Sequence, residues 1–396
     1  MNLTFSLLAS TSIPASETWF STTGHTTPDD GGHAFFVASG ADPNHPLNVR
    51  SADGRYWGPV PQPMNLRMFG AHPNKTKAQN KTAIQNAIAL AAYKGTKINV
   101  TRGVFQTDPL DFGSGLFLDG DGKGSVIKGS CVGPLGRRVG GSAGQNGPTK
   151  FSNFQLINEH NEGCGLDINN GIGFTISGMF FDCRKNAIRT GAGPMTMPVN
   201  GVPPDNDAYV TTIRENIILG HAGLLGSIGI ISGGHTRIVS NNITYFDVGA
   251  RLFHIQNKLA DNRIEVNRVG AQVGYNEAGQ VWPSHAAVDD NYFEANGVHI
   301  HARTMSGTIK GNRGHGGNNG PAGQTAIGMD LGELDGATVQ SNFMGNGYSV
   351  AAIRASGKWL NSVVQANKVQ NTIAGAARWD IDGFAHENCL LTPNAA

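Results

Sequence analysis

Cysteine is scarce in this chain: four residues in 396, at Cys131, Cys164, Cys183 and Cys389, with no CxxC spacing among them. That excludes a disulfide-stapled scaffold and a thiolate metal knuckle, and the four are read as buried free thiols. Charge is scarce too. Only 15% of residues are charged and the formal net charge is +1, so no broad basic field exists to hold nucleic acid. Long apolar runs are missing: nothing is long enough to span a bilayer, and Met1 to Ser16 has no positive n-region, only the short run Phe5 to Ala9. The expectation is a soluble chain without a cleaved signal, and without nucleic acid or membrane as partner.

What is abundant is glycine, 55 residues, together with many asparagines, which describes a turn-dense β protein. One asparagine returns at Asn216, Asn242, Asn262, Asn291, Asn312, Asn342 and Asn367, each time in a short, mostly apolar run. The intervals of 26, 20, 29, 21, 30 and 25 residues are those of one solenoid turn plus loops of variable length. Stacked rungs of a parallel β-helix place equivalent residues over one another, so an inward Asn can bond its neighbours along a ladder.

Upstream, turn signals at Asp29-Asp30-Gly31-Gly32 and Asp53-Gly54 flank aromatic runs at Phe35-Phe36 and Tyr56-Trp57, which predicts a small β module over 1–65. The stretch Asn80 to Tyr93 predicts a helix with its N-cap at Asn80, apolar positions at Ile84, Ile88 and Ala91, and a stop at Gly95. Laid across the open end of a solenoid, such a helix covers core and unpaired edges. The runs 97–100, 115–118 and 125–128 read as the first strands. A β-helix is expected over 66–375 and a C-terminal cap or tail over 376–396.

The run Met68-Phe-Gly-Ala-His-Pro-Asn74, then Thr82-Ala-Ile-Gln-Asn-Ala-Ile88, then Ile98-Asn-Val-Thr-Arg-Gly-Val-Phe105 resembles the start of pectate-lyase-like right-handed parallel β-helices. It is similar in particular to phage tailspikes and exopolysaccharide depolymerases, and Gly31-Gly-His-Ala-Phe-Phe36 with Asp53-Gly54 and Trp57 resembles their small N-terminal module. The likeness covers roughly residues 25 to 130. The chain departs from it in reading Pro73-Asn-Lys-Thr76 and Gln79-Asn-Lys-Thr82 where Asp-Gly and Asp-Asp-Thr are usual. The resemblance implies a right-handed single-stranded parallel β-helix, a trimer with coils side by side, a polysaccharide substrate, and a place on a phage tail or outside the cell.

With the ladder Asn as position zero, side chains alternate, so position two points inward and positions one and three face solvent. Position two reads Ile218, Thr244, Ile264, Phe293, Gly314, Met344 and Val369. Position one reads Ile217, Ile243, Arg263, Tyr292, Arg313, Phe343 and Lys368, and position three reads Leu219, Tyr245, Glu265, Glu294, His315, Gly345 and Gln370. The polar members gather in three rungs: Arg263 with Glu265, Tyr292 with Glu294, Arg313 with His315. Rungs are about 4.8 Å apart, which makes Glu265 and Glu294 neighbours, able to act as acid and base or as the pair of a retaining glycosidase. A uronate lyase instead needs a cation and a base, which Arg263 or Arg313 with Tyr292 or His315 supply. The bland alternative is a solvated face whose charges pair across rungs.

Arg184, Lys185, Tyr245, Asp247 and Arg251 are assigned to substrate binding, with Asp182 and His221 extending the same groove. The segments 189–207, 270–284 and 315–325 are expected to wall that face. Asp289-Asp290 with Gly314-His315-Gly316 resembles polygalacturonase motifs only weakly, and His299 and His301 are read as ordinary strand histidines without a metal. No cofactor is expected. The chain is read as an endo-acting depolymerase of a bacterial surface glycan, a lyase acting by β-elimination on a uronic-acid-containing chain, with hydrolysis by the paired glutamates as the alternative and a non-catalytic glycan-binding spike as the other class.

Overall fold

The computed structural model describes residues 3–42, 47–60, 63–94, 96–113, 115–138, 148–168, 173–191, 211–276, 278–317, 325–370, 376–380 and 386–391. The chain is a right-handed parallel β-helix whose rungs build three long parallel sheets. Among the described residues, sheet I has eleven strands, from Gly103–Gln106 to Lys368–Val369, and sheet II eleven, from Leu110–Phe112 to Ala377–Asp380. Sheet III has fifteen, beginning with Met64–Asn65 and reaching His386–Glu387 and Leu390–Leu391. Ahead of it stands a four-stranded antiparallel sheet in the order Trp19–Ser21, Phe35–Ser39, Tyr56–Pro59, Val49–Arg50. Phe36 and Trp57 are its buried centre, and the Asp30 carboxylate ties the turn before it by accepting four backbone N–H bonds, from His25, Thr26, Thr27 and Gly32.

The helix α1 spans Lys77–Lys94 and starts four residues earlier than the Asn80 cap predicts; Gly95 lies outside the described residues. Thr76 is the cap: its hydroxyl accepts from the Gln79 N–H while the Gln79 side chain accepts from the Thr76 N–H, a reciprocal capping box. Asn80 is buried inside the helix with a different task. Its Nδ2 donates to the Gln106 carbonyl of sheet I at 3.0 Å, and Gln85 exchanges two bonds with the Asp111 backbone of sheet II. The helix thereby satisfies edge groups that an open solenoid end leaves bare, and seats Ala83, Ile84, Ala87, Ile88, Leu90 and Ala91 on the core.

The asparagine ladder runs through Asn216, Asn241, Asn262, Asn291, Asn312, Asn342 and Asn367. In each rung the residue just before the Asn turns the corner from sheet III to sheet I with positive φ, for example Asp261 at 55° and Asp290 at 56°. The following backbone N–H is left without a ladder partner, and the next Asn supplies one. Asn262 N–H and Nδ2 both donate to Asn291 Oδ1, at 3.0 and 2.9 Å, while Nδ2 also reaches the Ile238 carbonyl at 2.9 Å.

This corrects the predicted register at one rung: Asn241 is the ladder residue and Asn242 faces outward. Ile243 is therefore inward and fully buried, and Thr244, aligned with Glu265, takes the outward position three that Tyr245 was expected to hold. Tyr245 sits beyond it at the next corner with φ 66°. At the remaining rungs the predicted alternation holds, with Ile218, Ile264, Phe293, Met344 and Val369 buried. Each such side chain contributes about 1.5–3 kcal/mol on burial. The exception, Gly314, is filled from the neighbouring sheet. A Cβ there would meet His299 at 2.7 Å and the Tyr348 hydroxyl at 2.8 Å, so the buried His299 ring stands where the other rungs place an apolar side chain. Burial pushes its imidazole down to about 3, hence neutral.

Candidate active site

Parallel pairing aligns Arg263, Tyr292 and Arg313 in one outward column of sheet I, and Glu265, Glu294 and His315 in the other. The ladder enforces this alignment, because each of the three strands begins directly after a ladder Asn. Glu265 and Glu294 are consequently direct neighbours. The Arg263 guanidinium bonds Glu265 and lies 3.8 Å from Glu294, with its cationic carbon 5.8 Å from the Tyr292 ring centre. The Tyr292 hydroxyl donates to Glu294 Oε2 at 3.0 Å. His315 packs beside Tyr292 at 5.8 Å between ring centres, and Phe343 beside His315 at 6.1 Å.

The two carboxylates are not equivalent. The Glu265 side chain is 15% exposed and that of Glu294 44%. Burial first, and then the hydrogen bond and charge of Glu294, lift the Glu265 carboxyl above its ordinary value against the pull of Arg263. Burial, then Glu294, likewise raises the Tyr292 phenol, so it stays a neutral donor at physiological pH. The arrangement can hold a proton on one carboxyl beside an exposed carboxylate, which is what concerted proton donation and removal require. Beside it lies an open depression of about 480 Å³ lined by Asp261, Asn262, Arg263, Asp290 and Tyr292.

The other predicted residues divide by sheet. Asp182 belongs to the same column as Glu265, three rungs earlier through Leu219 and Thr244, and its carboxylate is 2.7 Å from His221 Nε2. Lys185 and Arg184 are engaged with Glu162 at 3.3 Å and Asn161 at 2.7 Å. Asp247 is clasped by Arg268, and Arg251 donates to Gln272 Oε1 at 2.8 Å. Arg251 stands on sheet II, so it does not share the glutamates' face. Asp289, on sheet III, accepts from Thr308 at 2.9 Å and forms no unit with His315.

Two of the three expected walls also move. Val269–Val273 and Asn186–Thr190, which open two of the expected walls, are strands of sheet II and not of the glutamates' sheet; residues 192–210 and 277 lie outside the described residues. The turn 274–283 instead brings Tyr275 and Trp282 against His301 and His254, at 3.1 Å each. Only the segment after His315 departs straight from sheet I, and its residues 318–324 lie outside the described residues. The four cysteines are free, Cys183 fully buried and the others half-buried rather than buried as expected. Among the described residues no cluster of three or more His, Cys, Asp or Glu is placed to hold a metal ion, and no helix is long and apolar enough to cross a membrane.

Two features escaped the sequence reading. One is a second short ladder at the corner between sheets I and II, where Asn267 N–H and Nδ2 donate to Asn296 Oδ1 at 2.9 and 3.0 Å. Its signal was available as an Asn five residues after Asn262 and Asn291. The other is an ionic cluster on sheet II. Asp330, 3% exposed, takes bonds from Arg354 at 2.8 Å and from Ser356, with Arg303 and His301 at 3.5 and 3.6 Å. A further depression of about 530 Å³ on sheet III has an apolar floor of Ile255, Met305, Leu334 and Leu360 and lies away from the glutamate pair.

No family profile matches the chain, and no curated protein does. Among solved structures its fold is similar to the enzymatically active domain of bacteriophage CBA120 tailspike protein 2, with TM-score 0.58 and 12% identity over 96% of this chain and 56% of that one. It is also similar to the tailspike of Escherichia coli bacteriophage HK620 in complex with a pentasaccharide (0.56, 13%, 81% and 65%) and to a Yersinia enterocolitica family 28 exopolygalacturonase (0.55, 11%, 90% and 83%). The chain spans little more than half of the CBA120 tailspike domain. Phage tailspikes and other parallel β-helix proteins that degrade glycans are thus its structural neighbours.

Proposed function

We propose that this chain is an endo-acting depolymerase of an acidic bacterial surface or extracellular polysaccharide, with its chemistry on sheet I at Glu265, Glu294 and Tyr292. The observation that carries the proposal is the pair of glutamates held in register, one with a carboxyl raised toward the protonated form and the other exposed and hydrogen-bonded by a phenol. Parallel β-helix neighbours that act on glycans support the substrate class by analogy of fold.

In the reading we favour, the bond is cut by β-elimination next to a uronate. Glu294 takes the proton beside the sugar carboxylate, the C–H electrons form the new double bond, and the glycosidic C–O bond breaks. Tyr292, kept protonated, gives its proton to the departing oxygen. Arg313 neutralises the substrate carboxylate: it is exposed, next to Tyr292 in the register, and bonds no acid among the described residues, whereas Arg263 is already held by both glutamates. The second reading is hydrolysis, favoured by the same two carboxylates on adjacent rungs, about 4.8 Å apart along the coil, near the spacing of a retaining glycosidase. Elimination yields an unsaturated, ultraviolet-absorbing uronate and a new reducing end. Hydrolysis yields the reducing end alone. Incubation with acidic bacterial exopolysaccharides, following both signals, distinguishes the two. Binding without either signal overturns the depolymerase and leaves a glycan-binding spike.

A trimer with coils side by side, a place on a phage tail or outside the cell, and the division into 1–65, 66–375 and 376–396 belong to the same proposal. Light scattering tests the trimer, and a monomer counts against it.

A further inference from the structure

The outward column of sheet I that contains Arg263 continues past the glutamates. Parallel register aligns Arg263, Tyr292, Arg313, Phe343 and Lys368, so the column reads cation, aromatic, cation, aromatic, cation. Rungs advance by about 4.8 Å, which puts the cations, and likewise the rings, about 10 Å apart along the coil. The rings are linked along the axis, with His315 between Tyr292 and Phe343, and the Lys368 ammonium lies 6.0 Å from the Phe343 ring centre.

The availability of these groups changes along the column. Arg263 is bonded to Glu265 and close to Glu294. Arg313 and Lys368 are exposed and pair with no acid among the described residues. The companion column supplies no acid beyond Glu294, reading His315 and then Gly345 and Gln370. Toward the opposite end the same two columns turn neutral, with Asn242, Thr244, Ile217 and Leu219. The C-terminal side of the glutamate pair is therefore cationic and aromatic, while the two rungs on its N-terminal side are uncharged and the next charge in those columns is the acid Asp182.

We propose that this column is a substrate track: it binds an acidic polysaccharide parallel to the coil axis, with a carboxylate-bearing sugar at every second position, on the C-terminal side of the cleavage point. An extended pyranose advances a chain by close to one rung, so successive sugars meet successive side chains. Arg313 and Lys368 then face the carboxylates of alternate sugars, Phe343 takes the apolar C–H face of the sugar between them, and Tyr292 lies on the other side of Arg313, at the bond to be cut. A chain charged on every sugar places carboxylates over the two ring faces, whose π-electrons repel them. A neutral chain leaves both cations without a partner. The inference deepens the proposed depolymerase reading and rests on it for the location of the cleavage point.

The test is direct binding, kept separate from cleavage. The full-length Glu294→Gln variant is titrated by calorimetry with hyaluronan oligosaccharides, charged on alternate sugars, with oligogalacturonates, charged on every sugar, and with neutral chitin oligosaccharides. The alternating chain is expected to bind at least tenfold more tightly than either of the others. Arg313→Gln and Lys368→Gln each weaken it about tenfold, and the difference shrinks as salt screens the pairs. Phe343→Ala weakens binding with the salt dependence unchanged. Equal affinity for all three chains, or unchanged affinity in both cation variants, overturns the track. Cleavage left unchanged by both Arg313→Gln and Lys368→Gln also overturns the track, and with it the elimination reading, and leaves a depolymerase that works by hydrolysis. Tight alternating-chain binding that the wild type never cleaves supports the track and overturns the depolymerase.

Discussion

The exteriors of sheets I and II hold almost the same chemical inventory and use it in opposite ways. On sheet II, Asp330 is buried beneath Arg354, Arg303, His301 and Ser356, and Tyr275 closes over His301. Burial alone would raise the Asp330 carboxyl, yet the Arg354 and Ser356 bonds and the neighbouring positive charges hold it below its ordinary value. Every charge there is answered. On sheet I two carboxylates stand side by side with one shared arginine, and the answer is incomplete: Glu265 is pushed toward the protonated form. Composition does not make a site. A like-charged pair left incompletely compensated, at a cost the fold sustains through its ladder and core, is the stronger functional sign.

The comparison breaks most sharply by neutralising one acid on each sheet. Glu294→Gln is expected to lower cleavage by about 10²–10⁴-fold with thermal stability unchanged or slightly raised, since it relieves Glu265. Asp330→Asn is expected to do the reverse: it leaves Arg303 and Arg354 without their buried partner, costs about 3–5 kcal/mol, and leaves the turnover of folded protein near wild type. Rates and denaturant midpoints of the two variants decide it. A Glu294→Gln protein that still cleaves sinks the assignment of sheet I.

Acid should separate the two faces as well, with a smaller effect. Glu265 titrates above its unfolded value, so the native state binds the extra proton and this group favours folding as pH falls through its raised pKa. His301 is pushed down to about 4, by burial first and by Arg303 second. Its contribution is complete above the unfolded value of about 6.5 and is lost as pH falls toward 4. Asp330, also depressed, loses its contribution at lower pH still. Between pH 7 and 4 the Glu265→Gln variant should therefore lose more stability than wild type, and His301→Gln less. Parallel curves for all three proteins would contradict the assigned environments.

How much of this was legible in the sequence follows from what each element rests on. The coil was legible because the ladder Asn repeats one residue type at a backbone corner that needs a side-chain amide, and Glu265 and Glu294 followed once their register was set. Sheet II was not, because its inward column is small and apolar, as at Gly249 and Gly270, where a Cβ would meet the next strand's carbonyl at 2.6 Å. Glycines of that kind read as turns in a sequence. Nothing local announces that Arg303, Asp330 and Arg354 meet, since they are brought together by three successive rungs. The helix start was misplaced because Asn80 looks like a cap, while Thr76 and Gln79 form the box.

The register slip supplies the finest comparison, between adjacent residues of the same type. Asn241 donates to the Ile213 and Val239 carbonyls and to Asn262 Oδ1 at 2.9, 3.1 and 2.9 Å, and its own Oδ1 accepts from Asn216 N–H and Nδ2 at 3.1 and 2.8 Å. Asn242, one residue on, is half-buried on the exterior beside Arg263. Asn241→Ala orphans buried donors and acceptors on both neighbouring rungs and should cost about 1–3 kcal/mol for the groups left unpaired. Asn242→Ala should stay within about 0.5 kcal/mol. The two substitutions remove identical atoms from identical residue types, so any difference in their denaturant midpoints reports which side chain points inward. A larger cost at Asn242 would move Thr244 into the core and break the column that leads to Glu265.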